Sequence, residues 1–125
     1  MRDPATSTIL IVDDDPLVGR ALGRVAGRFG RVTVLHDTRA ALHGMAEGAR
    51  FDVILCEAMM PALTGIEFRR VLEKSDPEQA RRIIFMTWDA FHEPIREGLG
   101  QVENETLEKP ISSDSLAQVL LRYLG

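Results

Sequence analysis

The sequence predicts an α/β fold, a doubly wound parallel sheet with helices on both faces. Two observations carry this. Short, β-branched and nearly continuously apolar runs recur along the chain, at Thr8–Val12 (TILIV), 32–35 (VTVL), 53–56 (VILC) and 83–86 (IIFM). Runs without polar alternation suit strands covered on both faces, which is the condition of a parallel sheet. The segments between them show three- and four-residue apolar spacing instead, and strands alternating with helices build right-handed βαβ units.

Taken in order, residues 1–7 (MRDPATS) are polar, contain Pro4, and are expected to fray ahead of a core running from about residue 8 to 124. After the first strand, Leu17, Val18, Ala21, Leu22, Val25 and Phe29 recur at helical steps, so a helix is expected over 16–29. Asp15 is its candidate N-cap, and Pro16 occupies the first helical position. Residues 38–46, 66–74 and 113–123 behave similarly; Ser113 is the expected cap of the last, with Leu116 and Leu120 in its apolar stripe. The segment 91–99 is a weaker helix, because Pro94, Gly98 and Gly100 disfavour a long one. A fifth, shorter strand is expected at 105–107, just before Glu108-Lys109-Pro110.

A chain of 125 residues has room for one domain with a self-sufficient core, so 1–125 is read as a single unit. Hydrophobic residues at 45% and charged residues at 27% fit a globular chain and argue against disorder. A net charge of -4 lacks the basic excess that favours phosphate backbones, so nucleic acid is not an expected direct ligand. Cys56 is the lone cysteine, inside an apolar run, and reads as a small buried side chain. No apolar run has the length of a membrane span and no signal-peptide pattern opens the chain, so no membrane insertion and a cytoplasmic setting are expected.

Doubly wound folds place their sites beyond the carboxyl ends of the strands. There the chain presents Asp13, Asp14 and Asp15 after the first strand, Glu57 after the third, Thr87 after the fourth and Lys109 followed by Pro110 after the fifth. Singly, Asp15 is a helix cap, Thr87 a turn hydroxyl and Lys109 a surface charge. Together they fall at one topological position. Carboxylates packed within a few ångströms repel unless Lys109 or a cation offsets them. A hard cation with oxygen ligands, Mg²⁺ before others, is the natural occupant.

The residues that carry a family resemblance are now in view: Asp13-Asp14 after ILIV, an acid followed by MMP and TGIEF, Thr87 after IIFM, and EKP before a final helix. Over 8–124 the chain resembles the receiver domain of bacterial two-component response regulators. From TWDAF to LEKP it is similar to receivers at the end of hybrid sensor histidine kinases. The resemblance implies a flavodoxin-like five-stranded sheet of order 2-1-3-4-5. It implies a phosphoacceptor position at Glu57, Mg²⁺ held by Asp14, Glu57 and the Met59 backbone carbonyl, and Asp13 on that metal through water. Thr87 would receive a phosphoryl oxygen, Lys109 would pair with it, and Pro110 would follow a cis bond. The partners implied are a histidine kinase or phosphotransfer protein, or a downstream protein docked on the face formed by residues 91–99, the fifth strand and the last helix; a homodimer is among the assemblies allowed. The expected role is signalling, with no catalysis beyond weak self-phosphorylation.

Three positions depart from the pattern. Glu57 stands where the family has its phosphoacceptor aspartate, Thr106 where a Tyr or Phe rotates on activation, and Trp88 where a small residue leaves room for the phosphodonor. An extra methylene moves the carboxylate by about 1.5 Å, and a displacement of ~1 Å can cost roughly 100-fold where attack must meet a fixed metal. The expectation is a pseudo-receiver, with Mg²⁺ binding weakened or lost. Two alternatives share the fold class. A haloacid-dehalogenase-type phosphatase also uses aspartates after a first strand, but Leu17 interrupts its motif. An FMN-binding flavodoxin-like module wants a hydroxyl- and glycine-rich phosphate loop where this chain has three aspartates.

Overall fold

The computed structural model describes residues 3–93 and 95–124. The elements run β1 (Thr8–Val12), α1 (Pro16–Ala26), β2 (Arg31–Leu35), α2 (Thr38–Ala46), β3 (Val53–Glu57), α3 (Gly65–Ser75), α4 (Pro77–Arg81), β4 (Ile83–Thr87), α5 (Ile95–Gly100), β5 (Thr106–Glu108) and α6 (Ser113–Leu124). The five strands are all parallel, in the order β2-β1-β3-β4-β5.

Period-two alternation splits the apolar strands between two cores. Leu10, Val12, Ile54, Cys56, Ile83 and Phe85 face α2 to α5, where Phe68 and Leu72 meet them. Ile9, Ile11, Val53, Leu55, Ile84 and Met86 face α1 and α6, against Leu22, Leu116 and Leu120. Each such side chain removed from water contributes about 1.5–3 kcal/mol. Strands β3 and β4 are buried along their whole length, and β2 and β5 form the partly exposed edges. Cys56 lies fully buried in the first core, and burial pushes its thiol pKa up, out of reach of the thiolate.

Local chemistry sets the element ends. Asp15 caps α1 by accepting the Leu17 N–H at 2.9 Å. Thr64 and Glu67 exchange hydrogen bonds as a capping box at the start of α3. Several expectations shift. Helix α1 stops at Ala26, because the chain turns at Gly27, and Phe29 reaches the core from beyond the helix. The cap of α6 is Ser112, which accepts the Ser115 N–H at 3.1 Å, while Ser113 is already helical. Helix α5 begins at Ile95, four residues later than expected, and β5 sits one residue later than expected. Helix α4 was not expected; it is one turn held by Pro77 and by Asp76, which accepts the Gln79 N–H.

The lead is also more ordered than its composition implies. Asp3 accepts hydrogen bonds from the N–H groups of Ala5, Thr6 and Ser7, and Ser7 is fully buried against Gly30. The expected fraying of Met1 and Arg2, and the influence of Pro94, lie outside the described residues. Among the described residues no helix is long and apolar enough to cross a membrane.

Candidate functional site

Strand register brings the site together. Val12 pairs with Cys56, Glu57 with Met86, and Thr87 with Glu108. Asp13, Glu57, Thr87 and Lys109 therefore fall in a row across the carboxyl edge of the sheet. The backbone fixes this row: Asp13 N–H donates to Leu35 O at 3.0 Å and Lys109 N–H to Thr87 O at 2.8 Å. Gly65 presses against the far side of β3, where a Cβ would meet the Glu57 carbonyl at 2.6 Å.

Lys109 Nζ lies 2.5 Å from Asp13 Oδ2 and 2.8 Å from Glu57 Oε1. All three side chains are at most 5% exposed. The other carboxylate oxygens are engaged as well: Asp13 Oδ1 accepts the Asp15 N–H at 2.9 Å, and Glu57 Oε2 accepts the Met59 N–H at 3.3 Å. Burial pulls the Lys109 pKa down, and the hydrogen bonds and charges of Asp13 and Glu57 outweigh it, leaving the ammonium held above its ordinary value. One cation thus serves two buried anions.

Trp88 is 59% exposed, and Lys109 Nζ lies 5.3 Å from its ring centroid, within range of cation–π attraction. The indole and Lys109 border a largely apolar cleft of about 150 Å³ with Val18, Ala21, Leu22 and Ile111. Thr87 is fully buried, and its hydroxyl accepts the Asp89 N–H at 3.2 Å. Thr106 sits on β5 opposite Phe85, half-buried and without an aromatic ring to move. The Lys109–Pro110 bond is cis.

Of the acids expected to hold Mg²⁺, Asp13 and Glu57 meet at the Lys109 ammonium. Asp14 is exposed, and among the described residues no three His, Cys, Asp or Glu side chains form a group able to hold a metal. The Lys109 ammonium stands between Asp13 and Glu57 and offsets their charge. Met59 meets Glu57 through its N–H, and its side chain is 47% exposed. Asp13, Asp14, Glu57 and the Met59 backbone carbonyl are the groups that would hold the ion.

Two residues near the site escaped the sequence reading. His36 Nδ1 lies 2.8 Å from Asp13 O, and only its place just after β2 pointed to it. Ala62 takes φ 65 in the loop after β3, where Leu63 N–H donates to Pro61 O at 2.8 Å and closes a three-residue turn. No residue type announces such a strained turn at an alanine.

Comparison with known proteins gives the geometry a family. Residues 9–121 match the response regulator receiver domain family. The transcription factor Skn7 of Saccharomyces cerevisiae is 29% identical over 93% of this chain, and the histidine-protein kinase BarA of Escherichia coli K12 is 28% identical over 93%. The chain spans only 18% and 13% of the lengths of those proteins. Among solved structures, the receiver domain of a Pseudomonas aeruginosa PAO1 sensor histidine kinase is 34% identical, with a TM-score of 0.79 over 97% of this chain and 99% of that one. That structure holds a magnesium ion coordinated in its active-site cleft. The chemotaxis protein CheY4 of Vibrio cholerae is 29% identical, with a TM-score of 0.81 over 96% and 100% of the two chains. These matches favour neither the phosphatase nor the flavin-binding alternative. With its sheet order and its whole folded length matched, the chain belongs to the response regulator receiver domain family of two-component signalling.

Proposed function

We propose that this receiver domain is a pseudo-receiver, in which Glu57 stands at the phosphoacceptor position and a fixed ion triad replaces ordinary aspartyl phosphorylation. The observation that carries the reading is the 2.8 Å contact of Glu57 Oε1 with Lys109 Nζ, shared with Asp13. Phosphoryl transfer needs an accessible carboxylate oxygen, with an ammonium and a cation free to take up spreading negative charge. Here the ammonium is engaged by two carboxylates, and both Glu57 oxygens have partners. Asp13, Asp14 and Glu57 are the residues that would face Mg²⁺, and the Lys109 ammonium that offsets Asp13 and Glu57 weakens or abolishes its binding. Trp88 narrows the approach, and Thr106 leaves Thr87 no aromatic to recruit.

The domain then works through protein contact, with a histidine kinase, a phosphotransfer protein, or a downstream protein at the face of α5, β5 and α6. The Glu57–Lys109 contact also favours a permanent charge that stands in for the phosphoryl group. Incubation with acetyl phosphate and Mg²⁺, read by intact mass, tests the first part. The expected result is no added phosphoryl group; stoichiometric addition overturns the reading. Glu57→Asp combined with Trp88→Ala is expected to gain the modification faster than Glu57→Asp alone. If Glu57→Gln leaves partner binding unchanged, the stand-in role fails.

A further inference from the structure

The charges outside the site are segregated. From Leu17 to His36 the sequence holds four arginines, Arg20, Arg24, Arg28 and Arg31, and no acid. Arg20 and Arg24 are one turn apart on α1, Arg28 continues the row just past its end, and Arg31 opens β2. All four are exposed, and among the described residues none pairs with a carboxylate. Like charges one turn apart destabilise a helix, so the row carries a cost with no compensation inside the chain.

The opposite edge is the complement. From Glu97 to Glu108 there are four acids and no basic residue. Arg122 takes Glu105, while Glu97, Glu103 and Glu108 are exposed and, among the described residues, unpaired. Because β2 and β5 are the two edges of the sheet, four strand spacings separate the patches by roughly 19 Å. That is more than twice the ~8 Å screening length at physiological salt, so the patches barely offset each other within one molecule.

We propose that the arginine row of α1 and β2 docks onto the acidic β5 edge of a second copy, forming a head-to-tail contact. Charge complementarity selects this occupant, since the chain itself carries a matching surface. Arginine also suits the role, as its planar fork pairs carboxylates in bidentate fashion. The two patches differ, so the contact is heterologous and, unless a ring closes, extends to further copies. It is independent of what happens at Glu57.

Sedimentation velocity of the 125-residue chain over a concentration series tests this at about 10 mM and roughly 150 mM salt, where the screening length falls from about 30 to 8 Å. The weight-average mass is expected to climb above the 13.9 kDa monomer at low salt and to fall back at the higher one. Arg20→Glu with Arg24→Glu, or Glu103→Lys with Glu108→Lys, should each abolish self-association with an unchanged circular dichroism spectrum. A one-to-one mixture of the two variants should restore it, because each then offers the charge the other lacks. A monomer throughout the low-salt series overturns the proposal and leaves the row to a foreign acidic surface. Association that survives both reversals, or a mixture that stays monomeric, overturns it equally.

Discussion

The ammonium of Lys109 lies 2.8 Å from the carboxylate of Glu57 and so ties β5 to β3 over the intervening β4. With Asp13 at 2.5 Å, the same nitrogen reaches β1, and one side chain staples the carboxyl edge of the sheet. A buried charge that loses its partner costs about 3–5 kcal/mol. Lys109→Met, which leaves two buried carboxylates facing each other, is expected to lose that much in urea unfolding. Glu57→Gln should lose clearly less, since Asp13 and Lys109 still pair. The reverse order would show that the triad is not the staple described.

The same triad sets an alkaline limit. Burial lowers the Lys109 pKa, but the bonds and charges of Asp13 and Glu57 raise it further, so the folded value lies above the ordinary 10.5. A raised lysine stabilises the fold fully below 10.5 and loses that contribution as pH rises through the folded value. The stability difference between the natural chain and Lys109→Met should therefore hold through neutral pH and shrink as pH rises above the ordinary lysine value of 10.5. Urea midpoints measured across that range check it.

Gly65 is required by proximity. An added Cβ would stand 2.6 Å from Glu57 O and 3.0 Å from Ala58 Cα, both backbone atoms that cannot turn aside. Gly65→Ala is expected to cost roughly 1–3 kcal/mol, seen as a fall in Tm of about 5–15 °C. A Tm within a degree or so of the natural chain would mean that α3 shifts freely.

Ala62 offers the opposite case. Its φ of 65 lies in the left-handed region, where a Cβ is strained by about 1–2 kcal/mol. Glycine relieves that strain and gives back part of the gain as unfolded-state entropy. Ala62→Gly should stabilise the domain by roughly 0.5–1 kcal/mol, read from guanidinium midpoints.

Much of this was legible in the sequence, and the reasons are physical. Strands such as VILC and IIFM are apolar at every position, so their place between two helical layers follows from hydrophobicity alone. The acids and the lysine at the strand ends were visible because a parallel sheet aligns those ends. What the sequence hid was competition among the side chains. The sequence offers Lys109 or a cation as the partner of the clustered acids, and that Lys109 pairs with both Asp13 and Glu57 is decided by register and burial, which residue types do not announce. Helix α4 was hidden because one turn is too short to show a period. The cap of α6 was hidden because the adjacent Ser112 and Ser113 are equal candidates in sequence, and only the backbone selects Ser112.

The placement of Trp88 has a practical consequence. It is the chain's single tryptophan, its ring stands 5.3 Å from the Lys109 nitrogen, and more than half of its surface meets solvent. Indole emission responds to nearby charge and to water, so this protein carries an unlabelled optical reporter beside its central ion triad. Protonation of the lysine, entry of a cation or arrival of a partner at the rim would each be recorded in one emission spectrum, with no second tryptophan to dilute the signal.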